Sequence, residues 1–253
     1  MAYTNLKKGF HSFVTKYILE PIYKAKGDIE IKGKKNLEEA SQHARVVIAT
    51  THTNIERSIP IGLALKEQAH LIVKEDMDRW YLNKLWLEPF IRLLNGKFIE
   101  GNESKFRKSD LETMAEVIDC HDSYKKRTEP KYVLIAVSGN FNTDNPLEFV
   151  PKRGLAVAYR IRLKENLKKG IDYFDSAIVP SVEFMLQSKE SKKKYLIVYD
   201  DLINPNNFIC RIGNRIDFDT ESLTALLKYR IRKLMVSYQY IQFSRNLFKP
   251  SFS

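Results

Sequence analysis

The amino-acid sequence predicts an α/β fold. It reads as a single-domain sandwich, with a mixed, mostly parallel central sheet flanked by helices and an amino-terminal amphipathic helix ahead of it. Three observations predict this. Short runs of small and β-branched apolar residues, above all at 46 to 51 and 132 to 137, read as strands buried on both faces. Longer stretches with apolar residues at helical spacing stand between such runs. No internal repeat and no linker-like composition divides the chain, so residues 28 to 253 are expected to form one α/β domain behind a helical segment at residues 1 to 27.

Residues 6 to 23 place Phe10, Phe13, Val14, Tyr17 and Ile18 on one helical face, with Lys7, Lys8 and Lys16 nearby. Two readings fit, a helix lying in a lipid headgroup layer and a helix packed on the protein's own core. Lys26-Gly27-Asp28 ends that helix, and 29 to 32 alternates as a strand. Residues 37 to 45 are polar and helical in pattern, followed by the strand 46 to 51, a helix from about 55 to 67 and a strand at 69 to 74. The stretch from Trp80 to Leu94 carries more aromatic and leucine side chains than one buried helix face needs. It fits an acyl-chain wall, a membrane-facing patch or core packing.

Residues 97 to 100 read as a short strand. One helix is expected over 109 to 126, opened by a capping box from Ser109 to Glu112, with Lys125-Lys126-Arg127 solvated near its end. The strand at 132 to 137 is followed by a polar loop at 140 to 146 and a helix over 154 to 167 with basic residues on its outer side. Strands at 177 to 182 and 195 to 199 flank a charged hairpin tip at 189 to 194. A last strand at 208 to 212 precedes a closing helix over 222 to 243.

The 253 residues are 43% hydrophobic, enough for a sizeable core, and carry a formal charge of +11. That surplus suits a polyanionic partner, either nucleic acid or an anionic membrane face. No RNA-binding signature or zinc-finger spacing is present, so the membrane is the expected partner and nucleic acid is not. No run of about 18 apolar residues points to a spanning helix. The first residues lack the apolar core of a secretory signal. The two cysteines, Cys120 and Cys210, have neither metal-ligand nor disulfide spacing, so a reducing compartment is expected. Together these predict a cytoplasmic protein, peripheral at the membrane surface.

The chemically most informative stretch is Val46-Val47-Ile48-Ala49-Thr50-Thr51-His52-Thr53-Asn54-Ile55-Glu56-Arg57-Ser58-Ile59-Pro60. A buried strand ends on a histidine, and Thr53 with Glu56 has the spacing of a capped helix start. Glu56 is thus either a cap beside an ordinary loop histidine or an acid one turn from a histidine at the carboxyl edge of a sheet, where open α/β folds bind ligands.

This stretch resembles the His-x4-Asp block of the glycerolipid acyltransferase superfamily, the lysophosphatidic acid acyltransferases and their relatives. Ile29-Glu30-Ile31-Lys32-Gly33-Lys34-Lys35-Asn36-Leu37 looks like the strand and Gly-x-x-Asn-Leu turn that precede that block. Gly96-Lys97-Phe98-Ile99-Glu100-Gly101-Asn102 is similar to the family's Gly-x-x-Phe-Ile-Asp-Arg. Leu134 to Gly139, followed by Pro151-Lys152-Arg153-Gly154, stands where the family has Phe-Pro-Glu-Gly-Thr-Arg and its trailing Phe-Lys-Lys-Gly. Ile178-Val179-Pro180 matches the late Val-Pro strand, and the resemblance spans roughly residues 5 to 235.

The resemblance implies transfer of a fatty acyl group from an acyl-CoA or acyl-carrier-protein thioester to a hydroxyl of a lysophospholipid or other lipid-like acceptor. It implies no cofactor and no metal. His52 would be the general base and Glu56 the carboxylate that orients it. Ser138, Gly139 and Asn140 would form the substrate-binding turn, with Lys152, Arg153, Lys105 and Arg107 as candidate anion contacts. The chain departs from the family pattern in three places. The aspartate position is Arg57, and the two phosphate-binding arginines are Phe141 and Gly101. These departures leave open a second expectation, an acyltransferase relative that binds lipid or acyl thioester without turnover. A nucleic-acid binder rests on charge alone.

Overall fold

The computed structural model describes residues 13, 16–17, 20–21, 27–51, 61, 64–65, 69–74, 96–99, 101–102, 105–106, 108–137, 146–147, 149–187 and 193–247. The architecture is α/β. Seven strands form one sheet: β1 (Gly27–Lys32), β2 (Arg45–Thr50), β3 (Ala69–Lys74), β4 (Gly96–Ile99), β7 (Tyr132–Ala136), β8 (Ser176–Gln187) and β9 (Lys193–Tyr199), in the order β1-β9-β8-β2-β7-β3-β4. Two small hairpins stand apart, β5 (Gly101–Asn102) with β6 (Lys105–Phe106) and β10 (Ile209–Ile212) with β11 (Arg215–Phe218). Every neighbouring pair in the large sheet is parallel except β8 with β9.

The strands at the centre read as continuous apolar runs because both faces are covered. All six residues of β2 are buried. On one face Val47, Val133 and Ile178 pack with α2 (Lys108–Ile118), α4 (Gly154–Leu167) and α5 (Thr220–Leu247). On the other, Val46, Ile48, Val179 and Ile197 pack with Leu37 and Ala40 of α1 (Lys34–Ala40) and with Ile61 and Leu65.

The Gly-x-x-Asn-Leu turn has a direct physical account. Gly33 caps α1 with φ 71°, in the left-handed region. A Cβ there would lie 2.0 Å from the carbonyl oxygen of Tyr199. The Asn36 side chain donates to that same oxygen at 3.2 Å, and Leu37 enters the core. Gly33→Ala is therefore expected to cost about 3 kcal/mol or more. This combines the left-handed penalty of about 1–2 kcal/mol with overpacking of about 1–3 kcal/mol against a main chain that cannot retreat. A urea midpoint in the variant equal to that of the parent chain would contradict this account of the turn.

Several sequence expectations need correction. The helix expected over 109 to 126 is two helices, α2 and α3 (Ser123–Thr128), interrupted at 119 to 122. Asp119 is fully buried there, and Asp122 accepts from the amides of Tyr124 and Lys125 and caps α3. No capping box opens α2 at Ser109, because the helix already includes Lys108, which pairs with Glu112 one turn on. Lys125 and Lys126 are exposed, as expected of a solvated terminus, but Lys126 also donates to Asp175 at 2.6 Å. The helical stretch expected over 37 to 45 is α1, which ends at Ala40. The basic residues of α4 do not all face outward: Arg160 grips Asp217 of β11, but Arg162 turns inward to Asp119. The strand expected at 208 to 212 has a partner the sequence reading missed. The two-residue Gly213-Asn214 turn, with Gly213 at φ 56°, folds β11 back on β10.

The interruption after α2 is built around Asp119. Its carboxylate accepts from Asn166 of α4 at 2.9 Å and from the Asp175 amide at 2.8 Å. His121 Nε2 lies 3.0 Å from Asp119 and 3.2 Å from the Tyr173 carbonyl. Both neighbours accept, so this nitrogen carries the proton. Asp175 in turn binds Lys126 and the Ala44 amide. The network ties the end of α2, α3 and α4 to the amino ends of β2 and β8.

Candidate functional site

The opposite, carboxyl edge of the sheet gathers the segments singled out by sequence. The Val137 amide donates to the Thr50 carbonyl at 2.9 Å, and the Lys152 amide donates to the Val137 carbonyl at 2.8 Å. Thr51 and Val137 are both buried, and they are the last described residues before His52 and Ser138 in the chain. The returning segment brings Lys152 and Arg153 to the same place, at the amino end of α4. That end carries no acid in its first turn and presents the positive pole of the helix.

One side of this edge is walled by β8, which runs past the end of β2. Thr50 lies level with Ser181, yet β8 continues to Gln187 against β9. The row Thr50, Ser181, Tyr199 crosses three strands with all three side chains buried. By strand alternation Glu183 shares their face of the sheet, and it too is buried. Ser181 Oγ and the Tyr199 hydroxyl have no hydrogen-bond partner among the described residues. Burial, and then the Glu183 charge, push the Tyr199 phenol well above its usual range. Unpaired buried polar groups of this kind cost about 1–3 kcal/mol each; Arg45 Nε and Nη1 and Asn166 Oδ1, near the amino edge, also lack a hydrogen-bond partner among the described residues.

Of the residues the sequence singled out, His52, Glu56, Arg107, Ser138, Gly139 and Asn140 lie outside the described residues, as do Arg57, Phe141 and the stretch from Trp80 to Leu94. Lys105 sits in β6, opposite Asn102, and Gly101 opposite Phe106. Lys152 is half-buried, whereas Arg153 is exposed and pairs with Glu221 at 3.3 Å. Phe13 and Tyr17, from the apolar face of the amino-terminal segment, are exposed and touch each other, with ring centroids 5.2 Å apart. Glu183 was not singled out by sequence, although an acid inside the apolar run Ile178-Val179-Pro180-Ser181-Val182-Glu183-Phe184 was the available signal.

The Asp119–His121 pair has the form of a catalytic carboxylate and imidazole, but its placement speaks against that use. It stands at the amino edge, its Nε2 proton is engaged by two acceptors, and its ring packs edge-on against Tyr173 at 4.9 Å. Among the described residues no cluster of His, Cys, Asp and Glu side chains is placed to hold a metal ion.

No family model matches the chain, and no curated protein matches it.

Proposed function

We propose that the protein is an acyltransferase, moving a fatty acyl group from an acyl-CoA or acyl-carrier-protein thioester to a hydroxyl of a lipid-like acceptor. The observation that carries this reading is the convergence at one sheet edge. The chain ahead of His52, the chain ahead of Ser138 and the Lys152-Arg153 turn are joined there by two successive main-chain hydrogen bonds. The fit of Gly33, Asn36 and Leu37 to the turn that precedes the histidine block adds support.

In this reading the acceptor hydroxyl attacks the thioester carbonyl, His52 takes its proton, and the thiol leaves. Backbone amides beyond Val137 would meet the developing oxyanion. Glu56 orients the imidazole by sequence position; Glu183 is a second carboxylate at the same edge, where the family's aspartate is replaced by Arg57. Residues 28 to 253 would be one α/β domain, with the amphipathic helix at 6 to 23, in the segment 1 to 27, resting on the membrane. The exposure of Phe13 and Tyr17 supports this. Among the described residues no helix is long and apolar enough to cross a membrane.

A second reading, a relative that binds acyl thioester or lipid without turnover, is favoured specifically by Arg57 and Phe141. Thioester consumption with a panel of acceptors separates the two. Charge-assisted hydrogen bonds are worth about 1.5–3 kcal/mol each. Phe141 and Gly101 therefore predict that lysophosphatidate is a poorer acceptor than neutral or capped lysolipids by about 10²-fold or more. Preference for lysophosphatidate, lost on replacing Lys152 and Arg153, would mean that those side chains rebuild the anion site. No consumption with any acceptor would favour the binding protein.

A further inference from the structure

The outer stripe of α5 is a part of the described surface that neither the fold nor the proposed chemistry uses. Ala225, Lys228, Tyr229, Arg232, Lys233 and Val236 follow one another at helical spacing and line a shallow groove. The opposite stripe, with Leu223, Leu227, Ile231 and Met235, is the one buried against the sheet. Tyr229 and Val236 are 61% and 54% exposed. Beside them stand Leu147 and Val150, 81% and 60% exposed. The two sets form one face because Arg232 donates to the carbonyls of Leu147 at 2.7 Å and Phe149 at 3.1 Å. The same spacing recurs in the sequence of α5 at Tyr240, Phe243 and Leu247.

We infer that this face docks on an anionic membrane surface. Basic residues dominate α5: Lys228, Arg230, Arg232, Lys233 and Arg245 stand against a single acid, Glu221. Arg230 is engaged by Asp200 and Asp201, and Arg232 by the two carbonyls. Lys228 and Lys233 have no carboxylate partner among the described residues. Exposed apolar tips with Lys228 and Lys233 among them match a headgroup layer, which takes the apolar groups at the acyl boundary and the ammonium groups at its phosphates. A second copy of the face would set lysines against lysines, and a nucleic-acid backbone would leave the four apolar side chains uncovered.

The docked face adjoins the candidate site. Phe149 and Val150 lead into Lys152, whose amide is bonded to the end of β7. On the proposed function, from which this last step follows, a lipid acceptor would enter from the bilayer without crossing water.

The test is flotation of the full chain with vesicles of phosphatidylcholine containing phosphatidylglycerol, against vesicles of phosphatidylcholine alone. No thioester is present, so the result is independent of turnover. The K228Q/K233Q variant is expected to lose about 30-fold in affinity for the anionic vesicles, two lysines' share. The Y229S/V236S variant is expected to lose about 10-fold or more. Unchanged thermal midpoints would show that both variants remain folded, as expected of exposed positions; any that lowers the midpoint is replaced by L147S/V150S on the same face. Unaltered vesicle binding in the folded variants would overturn the inference. So would a loss confined to duplex DNA binding or to self-association in sedimentation.

Discussion

Replacing Asp119 by alanine is expected to remove about 3–5 kcal/mol of stability, the cost typical of breaking a buried, hydrogen-bonded charge cluster. The substitution leaves Asn166, the Asp175 amide, His121 and Arg162 without the carboxylate they share. A second signature separates this from a simple cavity. Burial alone would raise the Asp119 pKa, but the hydrogen bonds from His121 and Asn166, the His121 charge and the Asp175 amide outweigh it and hold it below the usual carboxylate value. For Asp175, too, burial is outweighed, by Lys126 and the Ala44 amide. A carboxyl whose pKa is lower in the folded state than in the unfolded chain contributes stability that is complete above the unfolded value, about 3.9. That contribution is lost as pH falls through the folded value. The parent chain should therefore lose stability on acidification below about pH 4, and D119N should lose less of it. Urea midpoints at neutral and acid pH measure this. An acid slope identical in both proteins would remove Asp119 from the account.

The Asp119 cluster also shows where local pattern stops being informative. Nothing nearby in the sequence announces that the carboxylate after Ile118 will find Asn166 and the Asp175 amide, 47 and 56 residues away. A continuous helix was the natural local reading. Asp122 carried a local signal for the restart, since Asp followed by Ser-Tyr-Lys is a serviceable cap. The fully buried Arg45 escaped for the same reason as Asp119, because its partner Glu129 is distant in sequence.

What was legible was set by burial and by turns. The runs at 46 to 50 and 132 to 136 are buried strands because the sheet is covered on both faces, and period-based reading detects that directly. The helix at Gly154–Leu167 was legible, its start fixed by the Pro151-Lys152-Arg153 turn and its end placed near the following lysines. At the candidate site the strand ends were legible, but the wall beyond them was not. Strand alternation alone puts Ser181 and Glu183 on one face, but that Tyr199 joins them there depends on the register of β9, which no local pattern encodes.

In the proposed reaction His52 takes the acceptor's proton. The direct measurement is release of free thiol from an acyl-CoA in the presence of a lysolipid acceptor, comparing the parent chain with His52→Ala at equal concentration and equal urea midpoint. Loss of a positioned general base lowers turnover by about 10²–10⁴-fold. A loss in that range is expected in kcat, with acceptor-dependent thiol release in the parent chain. Equal acceptor-dependent release by the parent and by a folded His52→Ala variant would contradict it.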